Sequence, residues 1–259
     1  MKVVILCGGL GTRLREETEF RPKPLVEIGD KPILWHIMKL YSHWGFQDFV
    51  LCLGYKGDLI RRYFLDYQNM QNDLTLHLGA VPAIKYHGSK AEQRWTVTLA
   101  DTGSLTMTGG RLRRIQKYVG DSTFMVTYGD GLADVNLSDV LKFHRKHKRL
   151  ATVTAVRPLS KYGILKTSVL GEVKSFREKP LASGWISAGF FLFEPGVFDY
   201  LTGDDCVLEE KPLQRLAADD QLRAYRHTGF WQPMDTFRES RLLNDLWASG
   251  KAPWRIWND

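Results

Sequence analysis

Apolar residues in the first half of the chain form two kinds of pattern. Residues 3–7 and 49–53 are continuous apolar runs, whereas the apolar positions between Ile33 and Trp44 recur every three or four residues. Short continuous runs predict buried strands, and a spacing of three and four predicts a helix with one buried face. Strands that alternate with helices favour a parallel sheet with helices on its faces, so the pattern indicates an α/β fold.

The same pattern predicts the elements that follow. We expect Asp30 to cap the first long helix, which begins at Pro32, and Gly45 to end it. The other elements expected before residue 150 are a helix over about 58–67, an irregular polar stretch to about 93, a strand over 95–99, a short helix over about 112–119 and a strand over 124–128. Later we expect strands over 151–156, 163–167, 172–176 and 186–194, and a last helix over about 237–247. Because no linker or repeat divides residues 1–259, we expect one Rossmann-like domain with a mostly parallel central sheet, a strand-rich insertion and a C-terminal helix.

Composition and charge narrow the classes of protein. Apolar residues make up 44% of the chain and charged residues 25%, as is ordinary for a globular protein. No apolar run has the length of a membrane span and no signal peptide is recognisable, so we expect a cytoplasmic protein. The net charge of +7 suits anionic substrates, and the basic run over 142–149 is expected to close a helix rather than to bind nucleic acid. Three cysteines without close spacing argue against zinc and disulfides.

A glycine-rich segment follows the first predicted strand. It reads Gly8-Gly9-Leu10-Gly11-Thr12-Arg13. Glycines after a buried strand let backbone N–H groups approach a polyphosphate, and Arg13 can donate two hydrogen bonds to phosphate oxygens. Lys23, between two prolines, adds a cation to the same loop region. The segment lacks the third glycine of the dinucleotide fingerprint and the Gly-Lys-Ser/Thr of a Walker A loop, so the residues alone indicate a nucleoside triphosphate site or a structural turn.

Asp130 is a candidate metal ligand, because it follows the predicted strand over 124–128 in a Gly-Asp-Gly turn where its side chain is open to a ligand. A second aspartate, Asp235, directly precedes the last predicted helix. The carboxyl ends of parallel strands lie at one edge of a sheet, so Gly8-Gly9 and Asp130 are expected to lie close together. Carboxylates and phosphates are the usual ligands of Mg²⁺. On the residues alone, a turn role for Asp130 and helix capping by Asp235 or Thr236 stay open.

The opening motif and the Lys23-Pro24-Leu25 segment resemble those of the sugar-nucleotide pyrophosphorylases, nucleotidylyltransferases that join a nucleoside triphosphate to a sugar 1-phosphate. Further blocks are similar to the cytidylyltransferases of this family that act on glucose 1-phosphate. The most specific are Thr127-Tyr128-Gly129-Asp130-Gly131, Phe230-Trp231-Gln232-Pro233-Met234-Asp235-Thr236 and Lys251-Ala252-Pro253-Trp254. The blocks occur in order from the first residue to the last, so the resemblance covers the whole chain.

The resemblance implies a reaction and a set of roles. It implies that CTP and α-D-glucose 1-phosphate give CDP-glucose and pyrophosphate, with Mg²⁺ held by Asp130 and Asp235, in a homo-oligomer that serves polysaccharide biosynthesis. Arg13, Lys23 and Asp130 are the implied catalytic residues. The implied nucleotide-binding residues are Leu6, Cys7, Gly8, Gly9, Leu10, Gly11, Thr12, Arg13, Lys23, Thr106, Arg111 and Gly129. The implied sugar-phosphate residues are Gly163, Glu178, Lys179 and Ser187, so residues 1–150 would form the nucleotide-binding part and 151–259 the sugar-phosphate-binding and C-terminal part.

Several alternatives stay open at this point. Ser187-Ala188 stands where the cytidylyltransferases read Asn-Gly, so another phosphorylated acceptor is an alternative, as is UTP or dTTP in place of CTP. A nicotinamide oxidoreductase would need an acidic residue after the second strand, where Gly54-Tyr55-Lys56 stands. A non-catalytic protein that binds nucleotide sugars would not need both aspartates. No histidine shows a catalytic pairing, and a structural role is expected for His36.

Overall fold

The centre of the molecule is a seven-stranded sheet. The structure is a computed structural model that describes residues 1–79, 81–87, 94–160 and 162–257. Its strands are β1 Lys2–Leu6, β2 Glu27–Ile28, β3 Lys31–Pro32, β4 Asp48–Leu53, β5 Asp73–His77, β6 Ala83–His87, β7 Thr96–Asp101, β8 Phe124–Tyr128, β9 Gly131–Ala133, β10 Ala151–Val156, β11 Ile164–Thr167, β12 Val173–Arg177, β13 Ile186–Phe193, β14 Leu222–Arg226 and β15 Trp231–Pro233. Its helices are α1 Arg15–Thr18, α2 Ile33–His43, α3 Gly57–Leu65, α4 Tyr67–Gln71, α5 Thr108–Arg114, α6 Gln116–Val119, α7 Leu137–His147, α8 Lys211–Ala218 and α9 Phe237–Ala248. Short 3₁₀ turns cover Thr12–Leu14, Lys23–Leu25 and Pro195–Tyr200.

The strand order is β14-β10-β13-β8-β1-β4-β7. The pairs β1–β4, β1–β8, β4–β7 and β10–β14 are parallel, and only β13 runs antiparallel to its neighbours in this sheet. The predicted α/β fold with a mostly parallel sheet is therefore confirmed. The chain leaves β1 toward β4 and β7 on one side and returns to β8 on the other, so the order reverses at β1. Ligands of open α/β sheets bind at such a reversal, beside the carboxyl ends of the strands.

Side chains of β1 alternate between two apolar layers. Val3 and Ile5 pack with helix α2 and the C-terminal segment, whereas Val4 and Leu6 pack with helix α5 and residues near 201–208. Trp254 is fully buried in the first layer, which also contains Trp257. The sheet is thus covered on both faces, as a parallel sheet requires. No helix among the described residues has the length and apolar content needed to cross a membrane.

Two expectations about helix starts were wrong. Asp30 does not cap α2: the residue at the N-cap is Pro32, no side chain caps it, and the Asp30 carboxylate lies 3.7 Å from Lys31 Nζ. The helix expected over 112–119 begins earlier, at Thr108, and is divided into α5 and α6 at Ile115. Gly109 and Gly110 concealed this start, because glycine is a poor helix former. They are accommodated by packing, since an added Cβ on either would lie within 3 Å of Cys206 or Asp204.

The stretch expected to be irregular to about residue 93 contains regular structure. Helix α4 is followed by an antiparallel hairpin of β5 and β6, so this expectation was wrong where the structure describes the chain; residues 80 and 88–93 lie outside the described residues. Almost every residue of the hairpin is exposed. Leu74 and Leu76 alternate with polar residues in β5, so the sequence contained a strand signal that this expectation overlooked. The insertion between β10 and β13 is a second exposed hairpin, β11–β12.

Candidate active site

A cavity of about 470 Å³ lies beside the carboxyl ends of β1 and β8. The two strand ends are joined where Gly129 N donates to Leu6 O at 3.1 Å. The lining of the cavity combines the glycine-rich segment, the Lys23 turn, the segment before α5 and the end of β8. The lining residues are Leu6, Cys7, Gly8, Gly9, Leu10, Gly11, Thr12, Arg13, Lys23, Pro24, Ser104, Leu105, Thr106, Met107, Thr108, Arg111, Tyr128, Gly129 and Asp130. Every residue predicted to bind the nucleotide is among them.

The glycine-rich segment needs glycine for its backbone path. Gly11 has a φ of +64°, and a Cβ there would lie 2.7 Å from Thr18 Cγ2. Thr18 Oγ1 donates to Gly11 O at 3.0 Å and fixes the turn. An added Cβ on Gly9 would meet nothing within 4 Å. The segment is thus a rigid turn whose backbone is open to the cavity, which is the arrangement that phosphate groups use.

One ammonium group connects the two predicted metal ligands. Lys23 Nζ lies 2.5 Å from Asp130 Oδ2 and 2.6 Å from Asp235 Oδ1. Arg13 Nη1 lies 2.7 Å from the other carboxylate oxygen of Asp235. The Lys23 side chain is only 9% exposed, whereas that of Arg13 is 69% exposed. The structure therefore brings Asp130 and Asp235 together on Lys23, beside the cavity that Lys23 and Asp130 line.

Short backbone contacts hold this cluster. Lys23 stands in a 3₁₀ turn in which Leu25 N donates to Pro22 O at 2.8 Å. Strand β9 directly follows Asp130 and pairs with β15, which ends two residues before Asp235. Met234 N donates to Asp130 O at 2.8 Å. The positions of both aspartates therefore depend on the β9–β15 pair rather than on sequence proximity.

The helix after Asp235 is capped by its neighbour. Thr236 Oγ1 accepts from Glu239 N, and Glu239 Oε2 accepts from Thr236 N at 2.9 Å, which together form a capping box. Capping by Asp235 is therefore wrong, and capping by Thr236 is confirmed. The Asp235 carboxylate points instead to Lys23 and Arg13.

Asp130 and Asp235 are the residues that could hold a divalent metal ion here, since both carboxylates converge on one cation, the Lys23 ammonium. Among the residues that the structure describes, no group of three or more His, Cys, Asp or Glu side chains is placed to hold a metal by itself. Two carboxylates with phosphate oxygens are a common way in which proteins bind Mg²⁺.

The buried Arg111 guanidinium forms hydrogen bonds that hold the segments at one side of the cavity together. It donates to Thr102 Oγ1 at 2.8 Å, Gly103 O at 2.7 Å, Leu53 O at 3.1 Å and Gly8 O at 3.0 Å. Burial lowers the pKa of Arg111 from its ordinary value. These bonds join the glycine-rich segment to the loop after β7. The sequence did not indicate this network, because the carbonyls that accept from Arg111 belong to three distant segments.

A second set of contacts was not foreseen either. Glu209 accepts a hydrogen bond from Thr108 at 2.7 Å and another from the Tyr128 hydroxyl. Thr108 and Tyr128 line the cavity on different segments, so Glu209 links the start of α5 to the end of β8. Tyr128 belongs to the Tyr-Gly-Asp-Gly block that the sequence singled out, but Glu209 stands in no recognised motif.

The residues predicted to hold the sugar phosphate lie apart from the cavity lining. Glu178 and Lys179 directly follow the exposed hairpin β11–β12, and Lys179 Nζ lies 3.8 Å from Glu178 Oε1. Gly163 is their neighbour, since an added Cβ would lie 3.0 Å from Glu178 Oε2. Ser187, at the start of β13, accepts from Gly189 N at 3.3 Å. The structure places Gly163, Glu178 and Lys179 beside one another and Ser187 in the main sheet.

Known proteins match this chain over its whole length. The glucose-1-phosphate cytidylyltransferase of Salmonella typhi is 49% identical over 259 aligned residues, which cover 99% of this chain and all of that protein. The probable glucose-1-phosphate cytidylyltransferase of Bacillus subtilis (strain 168) is 45% identical, again with 99% of this chain and all of that protein covered.

A solved structure and a family model agree with these matches. The crystal structure of a putative glucose-1-phosphate thymidylyltransferase from Bacillus anthracis has the same fold, with a TM-score of 0.70, 17% identity and coverage of 100% and 98% of the two chains. The family model described as nucleotidyl transferase matches residues 2–236, which include β1, the Lys23 turn, Asp130 and Asp235. From its sequence, its fold and its cavity, the chain belongs to the nucleotidyl transferase family.

Proposed function

We propose that this nucleotidyltransferase transfers a cytidylyl group from CTP to α-D-glucose 1-phosphate and releases pyrophosphate. The observation that carries the proposal is the cluster of Lys23, Asp130 and Asp235, in which Lys23 and Asp130 line the same cavity as the glycine-rich segment and Asp235 bonds to Lys23. The relatives named cytidylyltransferase, at 45–49% identity over their full length, support the choice of CTP and of glucose 1-phosphate.

The reaction needs little covalent chemistry from the protein. A phosphate oxygen of the sugar 1-phosphate attacks the α-phosphorus of CTP. The bond from that phosphorus to the oxygen bridging to the β-phosphorus breaks, and pyrophosphate leaves with the electron pair. The attacking phosphate is already an anion at neutral pH, so no side chain has to remove a proton. The protein has to position the phosphates in line and to neutralise their charge.

The residues of the cavity fit these two tasks. The backbone of Gly8 to Gly11 holds the triphosphate, and the Lys23 and Arg13 cations stabilise charge on the transferring and leaving phosphates. Arg111 keeps the segment in position through its bond to Gly8 O. Gly163, Glu178 and Lys179 stay proposed contacts of the sugar phosphate, as does Ser187.

Asp130 and Asp235 are the residues that would hold Mg²⁺, because their carboxylates converge on a single cation position. When bound, the ion neutralises charge on the phosphate oxygens and orients them. A homo-oligomer stays part of the proposal, and light scattering on the purified protein tests it.

Pyrophosphate release, measured for every combination of CTP, UTP and dTTP with several sugar 1-phosphates, tests the proposal. We expect turnover with CTP and glucose 1-phosphate in the presence of Mg²⁺. The variant Asp130→Asn should lose activity, while Asp139→Asn, which removes an exposed carboxylate paired with Lys142 on α7, should not. Turnover only with another phosphate monoester would contradict the assignment of glucose 1-phosphate, and binding without pyrophosphate release would contradict catalysis.

A further inference from the structure

The Lys23 ammonium occupies the position between the two carboxylates that a divalent cation would share. Its distances to Asp130 and Asp235 are 2.5 and 2.6 Å, so it bonds to one oxygen of each carboxylate. The second oxygen of Asp235 bonds to Arg13. A metal ion that binds at the point where these two carboxylate oxygens converge therefore has to displace Lys23 from it.

The charges of the cluster are balanced. Two carboxylates face two cations, Lys23 and Arg13, and Lys23 is nearly buried. A divalent ion that binds alone would leave this partly buried cluster with an excess of positive charge and would leave the Lys23 ammonium without its partners. Such an arrangement is unfavourable because a buried ammonium needs a compensating anion.

A triphosphate removes this obstacle. It brings several negative charges to the cavity that Lys23 also lines, so the ammonium can exchange carboxylate partners for phosphate partners as the metal takes the carboxylates. We infer that Lys23 acts as a placeholder cation: it holds Asp130 and Asp235 together and keeps free divalent metal out until a nucleoside triphosphate arrives. This inference rests on the proposed function, because it assumes that the ligand of the cavity is a triphosphate.

The cluster can be tested by binding Mn²⁺ alone, followed by electron paramagnetic resonance of the free ion. Without nucleotide, the wild type should bind Mn²⁺ weakly, and Lys23→Met should bind it at least about tenfold more tightly because one competing charge is gone. Lys2→Met is the matched control: it removes the same charge from the Lys2–Asp48 pair, 2.7 Å apart, at the opposite end of β1. It should bind Mn²⁺ as the wild type does. The double variant Lys23→Met with Asp130→Asn should lose the gain, since it lacks one of the two ligands.

A second measurement compares the wild type with and without nucleotide, and this comparison needs no variant. A non-hydrolysable CTP analogue should tighten Mn²⁺ binding to the wild type. The amount of Mn²⁺ bound should be far larger than the amount that the analogue binds by itself in solution without protein. In Lys23→Gln, the difference between binding with and without the analogue should become smaller. Circular dichroism and thermal melting show whether each variant is folded.

Two results would overturn the inference. One is a folded Lys23→Met protein that binds Mn²⁺ no more tightly than the wild type, and the other is wild-type binding that is equally tight with and without the analogue. Failure of the proposed function looks different: no pyrophosphate would be released from any nucleotide and sugar combination, whatever the Mn²⁺ affinities.

Discussion

Replacing Arg111 with Met should destabilise the protein strongly. The methionine fills much of the same space but donates no hydrogen bonds, so Thr102 and the carbonyls of Leu53, Gly8 and Gly103 lose a charged donor at 2.7–3.1 Å. Leu53 O keeps its bonds from Thr102 N and Thr102 Oγ1, and Gly8 O keeps its bond from Tyr55 N, so what is lost is the charged hydrogen bonds themselves. A hydrogen bond to a charged group contributes about 1.5–3 kcal/mol, and the bonds of one group do not add fully. We expect the free energy of unfolding to fall by about 3–5 kcal/mol.

Thermal and urea unfolding measure this change. At about 2–4 °C per kcal/mol for a protein of this size, Tm should fall by roughly 6–20 °C. Arg114→Met is the matched control on the same helix, since Arg114 is exposed and pairs with Asp204 at the surface. Its effect should be much smaller because water replaces the lost partner. If Arg111→Met were as stable as Arg114→Met, the support that we assign to Arg111 would be refuted.

Three further predictions concern the same structure. Gly8→Ala should lower stability and nucleotide affinity, because the added Cβ would lie 2.2 Å from the Arg111 guanidinium. Gly9→Ala is its control: the added Cβ would meet nothing within 4 Å, so this variant should have the Tm of the wild type in the same melting experiment. Asp235→Asn removes one of the two proposed carboxylate ligands of Mg²⁺ and should lower kcat by about 10²–10³, the cost of weakening charge stabilisation in the transition state. Steady-state kinetics in which only KM changed would contradict this. Burial lowers the pKa of His36 to about 4, so the stability that comes from keeping His36 neutral is complete above pH 6.5, and about 3 kcal/mol of it is lost as the pH falls toward 4. The free energy of unfolding, measured in urea at several pH values over this range, should change less with pH in His36→Asn than in the wild type. An equal change in both proteins would contradict this prediction.

Much of the fold was predictable because its central strands are buried on both faces. Residues 124–128 and 151–156 were predicted as strands with the bounds that β8 and β10 have, since both segments are short, mostly apolar or β-branched and free of strong helix signals. The two hairpins β5–β6 and β11–β12 are exposed, and only the second was predicted. In β5, Leu74 and Leu76 alternate with polar residues, but two apolar positions are a weak strand signal within a polar stretch.

The sequence by itself determined the glycine-rich segment, the position of Lys23 between two prolines and the aspartates as candidate ligands. These are local properties: backbone freedom, loop stiffness and side-chain chemistry are carried by a few neighbouring residues. Tertiary structure alone decided that Lys23 Nζ bonds to both carboxylates, since this depends on the β9–β15 pair. It also decided that Arg111 supports the glycine-rich segment through backbone carbonyls, because every residue has a carbonyl and only folding shows which ones the Arg111 guanidinium reaches.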